Sequence, residues 1–309
     1  MRAAFFQTLC ELAEADPRIV LLTGDLGYGA VDPFRARFPD RFINVGVAEQ
    51  NMIGMATGMA EAGLIPYAYS IATFLALRGF EFIRNGPVHH NLPVRLVGMG
   101  MGFEYGHDGP THHALEDIVA LRSLPGLSIV IPADCEQTRN AVRSTAGLPG
   151  PVYYSLSKND QLSVAGLGGR FEMGRVQVVR PGRDIAIVTM GSVSAEALAA
   201  VEELAVQGTD AAIVIVSNFH PDPDAHLAEV LAEFPHAVTL EAQTISGGLA
   251  SLVAGVIATH GLRCRLWPMA VTSSPDGSSG GQPALWRKHG LDRTSIVSTV
   301  QRAIGTVAR

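Results

Sequence analysis

The sequence predicts an α/β protein of two doubly wound domains, and three observations lead there. Short, continuously apolar runs such as Ile19–Leu22, Val152–Leu156 and Ile185–Thr189 lack in/out alternation, which marks strands buried on both faces of a parallel sheet. Helix-like segments separate these runs along nearly the whole chain. A stretch rich in glycine and polar residues, 157–169, interrupts the alternation and divides 309 residues into two lengths that can each bury a core. The domains are expected at 1–165 and 172–309.

The first unit opens with an amphipathic helix using Phe5, Leu9 and Leu12, then the strand Ile19–Leu22 and the turn-rich run 24–29. A strand Phe42–Val45 leads through a turn at Gly46 into a helix over about 47–62. Met52, Ile53, Met55 and Met59 make that helix apolar on almost every side, so it is expected inside the protein. Gly54 and Gly58, one turn apart, let another backbone approach at a cost in helix propensity. There follow a strand at 65–69, a helix at 73–85, a strand at 94–97 and a glycine-rich loop through Gly109. A helix at 114–123, a strand at 127–131, a helix at 135–145 and the strand 152–156 close the unit. In the second unit strands are expected at 185–189, 212–216, 237–240 and 265–267, with helices near 194–205, 225–234, 248–259 and 294–307. The run 272–282 reads as a Ser/Gly-rich loop.

Composition narrows the function. Hydrophobic residues make up 47% and charged ones 17%, which is globular. A net charge of −6 and a pI near 5.9 argue against nucleic acid and polybasic membrane binding. Cys10, Cys135 and Cys264 are odd in number and lack metal-ligand spacing, so they read as buried thiols of a reducing compartment. The start is too soon polar for a signal peptide, and the longest apolar runs fall short of a membrane span, so a cytoplasmic protein is expected.

At the start of the apolar helix the chain places an acid, Glu49. Without a cationic partner a buried carboxyl has a raised pKa and stays protonated near neutrality. The plainer role is a glutamate favoured at a helix start by the macrodipole. The run Gly106-His107-Asp108-Gly109-Pro110-Thr111-His112-His113 gathers three histidines and an acid on a turn that Gly and Pro sharpen and present to solvent. Phe74 and Arg78, four apart, share a helix face; Arg78 and Arg84 read as surface or interface cations.

The runs Phe38-Pro39-Asp40-Arg41-Phe42, Val47-Ala48-Glu49-Gln50-Asn51 and Asp108-Gly109-Pro110-Thr111-His112 resemble the second half of the transketolase superfamily, over nearly the whole chain. The resemblance implies a pyrimidine-binding domain followed by a transketolase C-terminal-like domain, with thiamine diphosphate as cofactor. It makes Glu49 the acid on the aminopyrimidine ring, Phe74 the aromatic stacked on that ring, Ile71 a second wall and Asp25 a cofactor-adjacent acid. Asp108 and His112 are then expected at substrate hydroxyls, His112 with a catalytic share. His107 and His113 depart from the family's pattern in the same substrate-binding loop. Arg2 and Lys158 stand where the family grips a substrate phosphate, while Gly29 and Gly100 replace a serine and a histidine anchor. That weaker grip suggests a larger or non-phosphorylated carbonyl partner in the space the glycines leave.

The Gly-Asp-Gly run and distant Asn that hold magnesium in the family's diphosphate-binding halves have no counterpart: Gly24-Asp25-Leu26 lacks the second glycine, and Asp108-Gly109 and Asp276-Gly277 lack the first. The expectation is a split enzyme, whose separate subunit brings the diphosphate site and the Mg2+ ligands, in an α2β2 assembly with an apolar contact surface that includes the Glu49 helix. The expected activity is transfer of a two-carbon ketol unit from a ketose to an aldehyde. The alternatives are the E1 β subunit of a 2-oxoacid dehydrogenase, separable by lipoyl-domain acceptance, and a non-catalytic partner subunit, against which Glu49 argues.

Overall fold

The computed structural model describes residues 1–273 and 277–305. It shows the expected pair of α/β domains, each a mostly parallel sheet covered by helices. The first comprises α1 (Arg2–Ala15), β1 (Ile19–Thr23), α2 (Asp32–Arg37), β2 (Phe42–Asn44), α3 (Glu49–Glu61) and β3 (Ile65–Ile71). A helical stretch from Phe74 to Val88 follows, in which a short α4 (Phe80–Ile83) lies between π-helical turns at Phe74–Arg78 and Arg84–Val88. Then come β4 (Arg95–Met99), α5 (Asp117–Arg122), β5 (Ser128–Val130), α6 (Cys135–Thr145) and β6 (Val152–Leu156). The start of α6 is fixed by Asp134, whose carboxylate accepts from the Gln137 amide at 2.8 Å.

The second domain comprises β7 (Gln177–Arg180), β8 (Ile185–Thr189), α7 (Ser194–Val206), β9 (Ala211–Ile215), β10 (Asn218–Phe219), α8 (Asp224–Leu231) and β11 (His236–Thr244). It ends with α9 (Leu249–Thr259), β12 (Arg265–Val271), α10 (Gln282–Lys288) and α11 (Arg293–Gly305). Its sheet runs β12-β11-β8-β9-β7, parallel except for β7. The first sheet runs β10-β5-β6-β4-β3-β1-β2, so its outer strand comes from the second half of the chain. β10 pairs antiparallel with β5, Asn218 opposite Val130 and Phe219 opposite Ile129.

That strand was not foreseen, and it closes the edge of β5 that would otherwise stand open. Side chains tie the domains further. Gln137 Nε2 donates to Ser217 Oγ at 2.7 Å, Arg122 bonds the carbonyls of Gly247 and Gly248 and pairs with Asp222 at 3.1 Å, and Gln243 donates to the Ala114 carbonyl at 3.0 Å.

Other differences have simple causes. α3 is not enclosed all round. Met52 and Ile53 are buried, but Met55 and Met59 are half-covered and Gln50, Asn51, Gly54 and Gly58 face outward, because one side of the helix is left largely uncovered by the described residues. Cys135 is likewise only half-covered, whereas Cys10 and Cys264 are buried. Within the expected loop 272–282, residues 274–276 lie outside the described residues, as do 306–307 of the expected last helix. Among the described residues no helix is long and apolar enough to cross a membrane.

Candidate active site

Parallel sheets carry ligands in the crevice beyond the carboxyl ends of their strands. In the first domain that edge gathers Gly24 and Asp25 after β1, Ser70 and Ile71 at the end of β3, Gly100 after β4, and Ser157 and Lys158 after β6. The start of α3 delivers Glu49 to the same edge.

Glu49 is 1% exposed. Ser70 Oγ donates to its Oε1 at 2.9 Å, and Arg78 Nη1 donates to its Oε2 at 2.6 Å. The expectation of a buried acid without a cationic partner is therefore corrected. The stretch Phe74–Val88 runs along α3 and lays the guanidinium of Arg78, itself 43% exposed, on the carboxylate. The same guanidinium lies 4.8 Å from the centroid of the Phe74 ring. A π-helical turn carries both residues, a backbone form that recurs at functional sites.

Phe74 meets His112 edge-on, ring centroids 4.9 Å apart. Thr111 Oγ1 shares a hydrogen bond of 3.0 Å with His112 Nδ1, which orients the imidazole. His112 ends the second of two 3-10 turns, Gly106–Asp108 and Pro110–His112, joined at Gly109, whose φ of +81° suits glycine. The first turn is pinned to the second domain: Gly280 N donates to the Gly106 carbonyl at 2.9 Å, and a Cβ on Gly106 would overlap Gly280 and Leu285. His107 and Asp108 are exposed on it, His107 beside Gly281. His113 departs from the expected substrate-facing place. It is buried edge-on against Phe103, 5.1 Å between centroids, because the chain reverses after His112 and turns the next side chain into the domain boundary.

Asp25, at φ +57°, is exposed and accepts from Asn44 Nδ2 at 2.8 Å and Tyr28 Oη at 2.9 Å, which together hold its carboxyl below the usual range. Asn44 Oδ1 in turn accepts from the Gly46 amide at 3.0 Å, so Asp25 braces the turn that leads into Glu49. Arg2 and Gly29 line a cleft of about 750 Å3 together with Phe6, Tyr28 and Asp160. Gly29 has nothing within 4 Å of a would-be Cβ, so the expected free space is present there. At Gly100 it is not. The Tyr105 ring covers Gly100, and a Cβ there would overlap it. Lys158 stands over that ring, its Nζ 3.7 Å from the centroid. Glu104 lies beneath, accepting from the Ser157 hydroxyl and, at 2.6 Å, from the Lys158 amide; burial pushes its carboxyl up.

Ser70, Arg78, Glu104 and Tyr105 are the residues that sequence reasoning missed. The spacing from Phe74 to Arg78 was the one available signal, and it gave a shared face without showing what that face touches. The arrangement can hold a planar, nitrogen-bearing ring. The carboxylate is dry, a flat aromatic lies beside it, and a Cβ at Gly24 would stand 3.5 Å from both Glu49 Oε1 and Ser70 Oγ. The Arg78 guanidinium, planar and an N–H donor, already makes the two contacts such a ring would make. Among the described residues no three His, Cys, Asp or Glu side chains converge as a metal site.

Comparison with known proteins gives the chain's likeness domain by domain. Residues 1–161 match "Transketolase, pyrimidine binding domain" and residues 174–296 match "Transketolase, C-terminal domain". The chain is 34% identical over 300 residues to a 6-deoxy-6-sulfo-D-fructose transketolase subunit of a Clostridium species, covering 96% of this chain and 92% of that one. It is 32% identical over 267 residues to an apulose-4-phosphate transketolase subunit of Actinobacillus succinogenes, covering 86% of each. A solved split-gene transketolase, described as an inactive beta4 tetramer, superimposes with a TM-score of 0.89 at 35% identity over 98% of both chains.

Proposed function

The chain belongs to the transketolase family, and from that premise we propose that it is the β-type subunit of a two-component, thiamine diphosphate-dependent enzyme. The enzyme transfers a two-carbon ketol unit from a ketose to an aldehyde. The observation that carries the proposal is Glu49: a dry carboxylate at the carboxyl edge of a parallel sheet, bonded by Ser70 and flanked by Phe74, with His112 against that ring. The relatives are named as subunits of transketolases, which supports the two-component form.

When bound, thiamine diphosphate supplies the nucleophilic carbon. With Arg78 displaced from it by the ring, Glu49 would hold a proton at the ring nitrogen of the aminopyrimidine, and Ser70 fixes the rotamer of its carboxyl group. Phe74, with Ile71 as the second wall, would hold the face of the ring and exclude water from that side. His112 exchanges a proton with a substrate hydroxyl, and Asp108 accepts a hydrogen bond from another. His107 extends this polar lining, and Arg2 and Lys158 attract an anionic substrate end. Asp25 acts through the turn it braces. The diphosphate and Mg2+ are held by the separate subunit, which docks on the outward side of α3, where Val47, Leu77 and Phe82 remain exposed. An α2β2 assembly places the cofactor at the boundary of the two chains.

The test is co-purification with the diphosphate-binding chain, followed by calorimetry with thiamine diphosphate and magnesium. Tight binding by the pair alone is expected. Glu49→Gln in the reconstituted enzyme is expected to lower kcat by about 10²–10⁴-fold, the usual share of one acid–base group, with the fold retained. Unchanged turnover would remove Glu49 from the mechanism.

A further inference from the structure

One wall of the crevice is a row of side chains in contact, running outward from the acid: the Arg78 guanidinium on Glu49 and over Phe74, His112 edge-on to Phe74, and then Tyr105. Tyr105 ends the row, its ring 6.3 Å from that of His112. It is seated by its surroundings. Gly100 has a φ of +87° and no room for a Cβ under the ring, so glycine and phenol form a matched pair. The Tyr105 carbonyl accepts from the Asp108 amide at 3.0 Å, which fixes the turn beyond it. Residues 104 and 105 hold Lys158 from two sides, the Glu104 carboxylate on its amide and the Tyr105 ring under its ammonium.

From this geometry we infer that Tyr105 is a specificity-determining residue. With Lys158 it sets the length and terminal group of the carbonyl substrate that fits beyond His112. The inference rests on the transketolase-type reading above. An ammonium is a donor without acceptor capacity, and the phenol O–H can donate beside it. The preferred substrate end is therefore an oxyanion. Lysine acts as a point charge without a planar fork, so carboxylate, sulfonate and phosphate ends are all served. The ring blocks the space over Gly100, which limits chain length.

The experiment measures kcat/KM of the reconstituted two-chain enzyme for aldehydes of three to six carbons ending in hydroxymethyl, carboxylate, sulfonate or phosphate. Tyr105→Phe keeps the ring and loses the donor. It is expected to raise KM for the oxyanion-ended aldehydes about five- to tenfold relative to the hydroxymethyl ones, the size of one lost hydrogen bond. Tyr105→Ala opens the space, and the preferred length is expected to move out by one or two carbons, about tenfold per carbon. Gly100→Ala, which expels the ring, is expected to copy that length shift. Equal loss across every substrate in Tyr105→Phe and Tyr105→Ala overturns the inference and leaves Tyr105 a structural residue. A wild-type complex inactive on every ketose–aldehyde pair overturns the functional reading itself, and this inference with it.

Discussion

Glu49 and Arg78 form an ion pair of 2.6 Å between Oε2 and Nη1, yet one partner is dry and the other 43% exposed. Water screens such a pair, so Arg78→Met is expected to cost the chain only about 1 kcal/mol, read as a lower urea midpoint with an unchanged slope. A fully enclosed pair would lose several times more. The acid itself was legible in the sequence, because a glutamate that opens an apolar helix directly after a glycine turn needs a reason. Its partner was not, since an arginine four residues past an aromatic looks the same on a bare surface as over a buried carboxylate. His113 shows the opposite failure. A loop rich in Gly and Pro does present His107, Asp108 and His112, but one residue further the chain has already turned inward against Phe103.

At the scale of elements, Gly79 lets the stretch Phe74–Val88 lie against α3. A Cβ there would overlap the Ile53 side chain and the Leu75 carbonyl, so Gly79→Ala is expected to cost about 2 kcal/mol, visible as a lower thermal midpoint. In the second domain Glu241 caps α9, accepting from the Leu249 and Ala250 amides at 2.7 and 2.8 Å. Burial outweighs those donors and pushes its carboxyl from an ordinary 4.5 up to about 7. The folded state therefore holds a proton that the unfolded chain releases. The stability from this group is full below about 4.5 and is lost as pH rises through about 7. Glu241→Gln is expected to flatten the pH dependence of the unfolding free energy across that window. The buried strands were legible because a short apolar run between turn signals, without alternation, suits the middle of a parallel sheet and little else. The six-residue α2 and the two-residue β10 were not, because elements so short carry no periodicity.

Across the whole molecule, the second half of the chain completes the first sheet. Phe219 is fully buried in β10 under the Arg122 guanidinium, 4.7 Å from its ring. Phe219→Ala is expected to cost about 3–5 kcal/mol and to lower the unfolding of both domains together, as one calorimetric peak shifted down rather than two. Separate peaks in the wild-type chain would contradict this. Two domains were legible from the break in the α/β alternation, but their interlocking was not, since nothing local in Asn218-Phe219 names Val130 and Ile129 as neighbours.

The borrowed strand also limits what can be transplanted. A chimaera joined in the stretch 157–169 gives the recipient sheet a foreign outer strand, and residues 218–222 must then match the recipient's Ile129, Val130 and Arg122. Interchange of C-terminal halves between relatives is governed by those few side chains more than by the linker where the cut is made.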